Sequence, residues 1–167
     1  MRNATPLFLA SILAFPACLE LPPKIEAPER TTLESSVAAA LDDFHDAASK
    51  ADFARYFAHF DDDAVFLGTD ATERWTRAQF ADYVRPHFSE GKGWTYHPTE
   101  RHVTIASDGR YAWFDERLAN EKYGDTRGSG VLVRRGKEWK IAQYNLTIPM
   151  PNDLAPRFVQ EIRAAQK

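Results

Sequence analysis

The stretch RGSGVLVRRGKEWKIAQYNLT, from Arg127 to Thr147, decides how the chain is read. Gly136, between the runs Val131 to Arg135 and Trp139 to Ile148, marks a β-hairpin turn that fixes the pairing of two strands. Side chains alternate across a strand with period two, so Trp139, Ile141, Gln143 and Asn145 are expected on one face. An apolar wall then runs into two neutral amides. A buried amide without a partner costs about 1 to 3 kcal/mol. The pair is therefore expected either to face a cavity holding water or a small molecule, or to tie down a neighbouring loop or strand end.

Working outward, Asp108-Gly109 and Gly124-Asp125 are further hairpin signals, and they divide Trp94 to Ser107, Tyr111 to Lys122 and Thr126 to Arg135 into successive strands. Consecutive hairpins make a meander. Pro149, Pro151 and Asn152 end it, and Leu154, Phe158 and Ile162 recur at the spacing of a final amphipathic helix. Upstream, Thr31 and Glu34 form a capping-box signature ahead of Leu33, Val37, Leu41, Phe44 and Ala48 at helical spacing. Ala51 to Phe60 gives a second apolar face through Phe53, Tyr56, Phe57 and Phe60, closed by a charged loop at Asp61-Asp62-Asp63. Three adjacent aspartates cannot all point at one ion, and no ligands follow at calcium-loop spacing, so a solvated turn is expected there. Ala64 to Gly68 reads as a short strand. Thr76 with Gln79 caps the next helix, whose apolar side holds Phe80, Tyr83, Val84 and Phe88, and Pro86 should bend or end it. Helices wrapped around a curved antiparallel sheet form an α+β layer architecture, and such a sheet encloses a cone with a mouth.

The 167 residues have the composition of one soluble globular domain with a leader, 44% hydrophobic and 27% charged. The formal net charge is only -3 and no basic stripe is interleaved with aromatics, which argues against nucleic acid as a partner. At the N-terminus, Arg2 precedes an apolar run from Leu7 to Ala17 that has signal-peptide length. The segment Phe15-Pro16-Ala17-Cys18 resembles a bacterial lipobox, so Cys18 is a candidate for lipidation, with a plain cleaved signal as the alternative. Residues 1–18 are thus read as a leader, 19–30 as a proline-rich tether and 31–167 as the folded domain, exported to the periplasm or anchored to a membrane through Cys18. With Cys18 as the one cysteine, the body has neither a disulfide nor a thiolate metal site. His45, His59, His87, His97 and His102 show no HxxxH pair, and neither a metal nor a cofactor is expected.

The segments Phe66-Leu67-Gly68-Thr69-Asp70-Ala71-Thr72-Glu73-Arg74-Trp75, Gly93-Trp94, Ala112-Trp113-Phe114-Asp115-Glu116, Arg127-Gly128-Ser129-Gly130 and Trp139-Lys140-Ile141-Ala142-Gln143-Tyr144-Asn145 together resemble the SnoaL-like branch of the nuclear transport factor 2-like (NTF2-like) superfamily. The resemblance covers roughly Leu33 to Asn152. It implies a cone-shaped α+β barrel with a deep apolar pocket and a homodimer, in a family that ranges from isomerases and cyclases to catalytically silent binding modules. Fold alone does not settle function.

In such a cone Phe66, Trp75, Tyr83, Trp94 and Tyr96 are expected to join Trp139, Ile141, Gln143 and Asn145 around an apolar or aromatic small molecule. Catalysis would need a carboxylate whose pKa is raised by an apolar cavity; Asp70, Glu73, Asp115 and Glu116 are the candidates, with Asp70 and Glu116 favoured. Asp70 could equally cap the loop before Trp75, and of the neighbours Asp115 and Glu116 only one can face inward. Gly128 and Gly130 leave backbone open on one face, where a helix or a ligand would exclude bulk. Gly-Ser-Gly lacks the spacing and setting of a nucleophile elbow. The expected function is an exported small-molecule-binding domain. The alternatives are an isomerase, dehydratase or cyclase using one buried carboxylate, and a non-catalytic dimeric module that exposes Tyr111 or Trp113 on its outer sheet face.

Overall fold

A computed structural model describes residues 24–166. The leader, Cys18 and residues 19–23 of the proposed tether lie outside the described residues. Helix α1 (Ala27–Ser49) starts four residues before the Thr31 box, because Pro28 occupies its first turn and favours initiation there. Ala27 to Arg30 are consequently helix, not tether. Thr31 is inside the helix and its hydroxyl donates back to the Ala27 carbonyl. The expected stripe of Leu33, Val37, Leu41, Phe44 and Ala48 is buried along α1.

Helix α2 (Phe53–Ala58) leads into strand β1 (Phe60–Leu67), which already includes the three aspartates placed in a loop by sequence. Asp61 holds its place there through a bidentate pair with Arg135. Strand β2 (Arg74–Thr76) turns directly into α3 (Arg77–Ser89), whose Thr76–Gln79 capping box forms as read. The helix runs past Pro86 to its end at Ser89. After an irregular passage come β3 (His97–Ile105), β4 (Tyr111–Asn120), β5 (Gly124–Arg135) and β6 (Glu138–Thr147), and finally α4 (Ala155–Ala165).

The six strands form one open, curved sheet in the order β2-β1-β6-β5-β4-β3. The meander β3 to β6 is antiparallel, but β1 lies parallel to β6, so the sheet is mixed. One irregularity governs the inner face. Val131 pairs with Gln143 while Leu132 pairs with Ile141, which leaves Ala142 as an extra residue in β6. A β-bulge of this kind reverses the facing of everything beyond it. Gly130 permits the bulge, since a Cβ there would stand 2.1 Å from the Gln143 carbonyl oxygen. Trp139 and Ile141 stay inside, Tyr144 and Leu146 turn inward, and Gln143 and Asn145 move to the outer face.

Candidate functional site

With the bulge in place, the inner face reads as transverse rows. One row joins Trp75, Phe66, Tyr144, Gly130, Phe114 and Val103 across all six strands. The next inner row toward the mouth joins Leu146, Gly128, Glu116 and Arg101. The deep part of the cone is solid, filled by Phe44, Tyr56, Phe60, Phe80, Phe114 and Tyr144. No hollow core surrounds the amides, so the pocket expected around Gln143 and Asn145 is not where sequence alternation put it. Gln143 is exposed and Asn145 half-buried on the outer face. Trp139 and Ile141 are core residues at the far end, where the Trp139 indole N–H donates to Ser36 Oγ at 2.9 Å.

The mouth is different. An open cleft of about 550 Å³ lies there, and Phe66, Trp75, Tyr83, Trp94 and Tyr96 all line it together with Phe80 and Leu146. The aromatic wall is ordered. Phe66 and Phe80 stack with centroids 3.9 Å apart at 11°, Trp75 lies 5.6 Å from Phe80 at 18°, and Tyr83 lies 5.1 Å from Trp75 at 17°. These near-parallel rings end at Tyr83, which is 48% exposed, so the series stops at an uncovered ring at the surface. A planar ring entering the cleft would lie beside this wall at the offset-stacking distances aromatic pairs prefer.

The rim supplies the polar groups. Asn120 holds it together, its side-chain N–H donating to the Thr95 carbonyl while its oxygen accepts from the backbone N–H groups of Lys122 and Tyr123. Lys122 Nζ sits 4.8 Å over the Tyr123 ring. Burial, with Tyr123 nearby, pushes the Tyr96 hydroxyl above the ordinary phenol range, so it stays protonated and able to donate. Glu73 also borders the cleft, one of its oxygens accepting from the Asp70 backbone N–H.

Of the four carboxylates read as candidate acids, Glu116 is the one buried inside the cone; Asp115 is outside. Glu116 does not line the cleft. His45 Nε2 stands 2.8 Å from Oε1, the Tyr144 hydroxyl donates to Oε1 at 3.0 Å and Arg101 Nε donates to Oε2 at 2.8 Å. Arg101 also reaches Asp42 and the Ala38 carbonyl, tying α1 to β3. Burial alone would raise the Glu116 pKa, but hydrogen bonding and charge from His45 and Arg101 outweigh it and hold the carboxyl below its ordinary value. The raised pKa on which a general acid or base role rested is absent. Asp70 is likewise no pocket acid: it is exposed, its Oδ1 accepts from the Thr72 backbone and hydroxyl in a local turn, and that Thr72 pairing lowers its pKa. The capping alternative for Asp70 is what the structure shows.

Tyr144, His45 and Arg101 went unread, and the signal for them was Gly128. A Cβ at Gly128 would stand 2.3 Å from the Tyr144 hydroxyl and 2.8 Å from Glu116 Oε1. What excludes bulk at this glycine is the ion cluster itself, neither a helix nor a ligand. Among the described residues no group of histidines, cysteines and carboxylates is arranged to hold a metal, and no helix is long and apolar enough to cross a membrane.

Residues 37–151 match the profile of the SnoaL-like domain. Among solved structures, an NTF2-like protein of unknown function from Pseudomonas putida superposes with a TM-score of 0.61 at 15% identity, covering 74% of this chain and 91% of that one. A candidate dehydratase of the NTF2-like family from Streptomyces avermitilis gives 0.61 at 13% identity, over 72% and 99% of the two chains. A candidate aromatic ring hydroxylase from Novosphingobium aromaticivorans gives 0.61 at 18%, over 72% and 92%. At these identities the likeness shows the fold. No curated protein matches the chain by sequence.

Proposed function

Because the chain belongs to the SnoaL-like domain family, we propose that it is a binding module for a flat aromatic or apolar small molecule, held in the cleft at the cone's mouth. The observation that carries this reading is the ordered wall of Phe66, Phe80, Trp75 and Tyr83, uncovered at its Tyr83 end and bordered by the Tyr96 hydroxyl. Ligand pockets combine an apolar wall with placed polar groups; here the aromatic wall meets a polar rim that includes Glu73, Asn120, Glu121 and Lys122. The signal-like leader supports delivery of the domain to the cell envelope. Isothermal calorimetry with 1-naphthol tests the binding reading. Trp75→Ala removes a large stacking face, worth roughly 1 to 2 kcal/mol, and should weaken binding about tenfold. Equal affinity in the two proteins, or no heat from the unaltered chain, would refute it.

A second reading concerns assembly and rests on a separate observation. Trp113 and Tyr111 stand side by side on the outer face of β4, 50% and 46% exposed, opposite Val131 and Val133 of β5. Exposed apolar surface of this size on a sheet face fits a self-complementary contact, and we propose a homodimer through it. Sedimentation should find a dimer that Trp113→Glu converts to monomer with the fold intact. A monomeric unaltered chain would contradict this.

A further inference from the structure

The cleft is open on one side, and the amphipathic helix α4 has its apolar stripe exposed. Six of the ten large apolar side chains left exposed lie between Ile148 and Ile162, and two more, Tyr83 and Tyr123, stand at the cleft mouth. Leu154, Phe158 and Ile162 repeat every four residues, so they form one stripe along α4 and its N-cap, and none of the helix residues is buried. An eleven-residue helix is marginal in water by itself, so α4 needs a surface to lie on.

We propose that α4 is the missing wall of the cleft, closing across its mouth so that Leu154, Phe158 and Ile162 cover the open face of the bound ring. The inference rests on the mouth cleft being the ligand site. Connectivity favours it. Leu146 is part of the cleft wall, and the residues from Thr147 to Leu154 join it to the helix; a chain of that length spans up to roughly 26 Å. A space of about 550 Å³ is some 10 Å across if round, well within that reach. Arg163 adjoins the stripe, while Glu73 and Glu121 stand on the rim; Arg157 is already paired with Glu161 of the same helix. The other exposed apolar patch is the wrong destination for a helix of the same molecule. Tyr111 and Trp113 start β4 at the end away from Asn120, on the outer face of the sheet.

Cross-linking tests the closure with the full chain carrying Cys18→Ser. Tyr123→Cys with Phe158→Cys puts one thiol on the rim and one on the stripe, and a disulfide forms only if their backbones come within about 7 Å. Under oxidised glutathione an intramolecular bond should form, and faster with 1-naphthol present. In stopped flow, Phe158→Ser with Ile162→Ser should release 1-naphthol about tenfold faster, as expected when a covering element is lost. A control chain with Tyr111→Cys and Phe158→Cys should stay reduced. Cross-links that form only between molecules, only in the control, or not at all overturn the closure. The two readings fail distinguishably: binding of 1-naphthol without the 123–158 bond sinks the closure and leaves the cleft standing, and the bond without binding sinks the cleft as a ligand site, and with it the cover over a bound ring, leaving only a contact of α4 with the rim.

Discussion

Glu116→Ala is expected to destabilise the protein by about 3 to 5 kcal/mol, the usual penalty when one member of a buried ion cluster is removed and its partners stay behind. The carboxylate is fully enclosed, and its loss leaves the Arg101 guanidinium, His45 and the Tyr144 hydroxyl facing a hole. Chemical denaturation measures it, and a change below about 1 kcal/mol would show that the cluster matters little to the fold. The same group predicts a pH dependence. Its folded pKa lies below the unfolded value of 4.5, so its contribution is fully present above that value and is lost as pH falls through the folded pKa. Acidification should therefore narrow the gap between the unaltered protein and Glu116→Ala. A gap that widens below pH 4.5 would mean that the sign is wrong.

Gly128→Ala should have an effect of similar size by a different route. Its Cβ would press on the Tyr144 hydroxyl at 2.3 Å and on Glu116 Oε1 at 2.8 Å, which forces the two apart. Overpacking of a tight core costs about 1 to 3 kcal/mol, and a strained hydrogen bond to a charged group adds to it, so about 3 kcal/mol is expected. Ser129→Ala, one residue on and facing outward, should change stability by less than about 0.5 kcal/mol. Equal effects at the two positions would contradict the placement of the cluster under Gly128.

The parts of the fold that local physics dictates were legible. The α1 stripe and the Thr76–Gln79 capping box are short-range patterns that formed as read, and the successive hairpins formed too, although the turn read at Gly124-Asp125 lies at 121–123 with Gly124 already in β5. The start of α1 was missed because Thr31-x-x-Glu34 satisfies a motif that Pro28 pre-empts three residues earlier. The five aromatics expected to share a pocket do line one cleft, but apart from Trp139, Ile141, Gln143 and Asn145, with which they were expected to form it. The amides were misplaced by one residue, Ala142. Nothing in β6 itself announces that bulge; the glycine that allows it, Gly130, belongs to the neighbouring strand. The orientation of Glu116 was undecidable from alternation, because its partners are His45, 71 residues away, and Tyr144, 28 away, and only the folded register brings them together.

The four tryptophans happen to stand at distinct places: Trp75 and Trp94 in the cleft, Trp113 on the outer sheet face and Trp139 in the core at the far end. Their indole N–H resonances in a nitrogen-proton correlation spectrum therefore report where a guest sits. Titration with 1-naphthol should move the Trp75 and Trp94 signals together and saturably, leaving Trp113 and Trp139 in place. Movement of Trp139 or Trp113 alone, or no movement at all, would contradict a ligand site at the mouth of the cone.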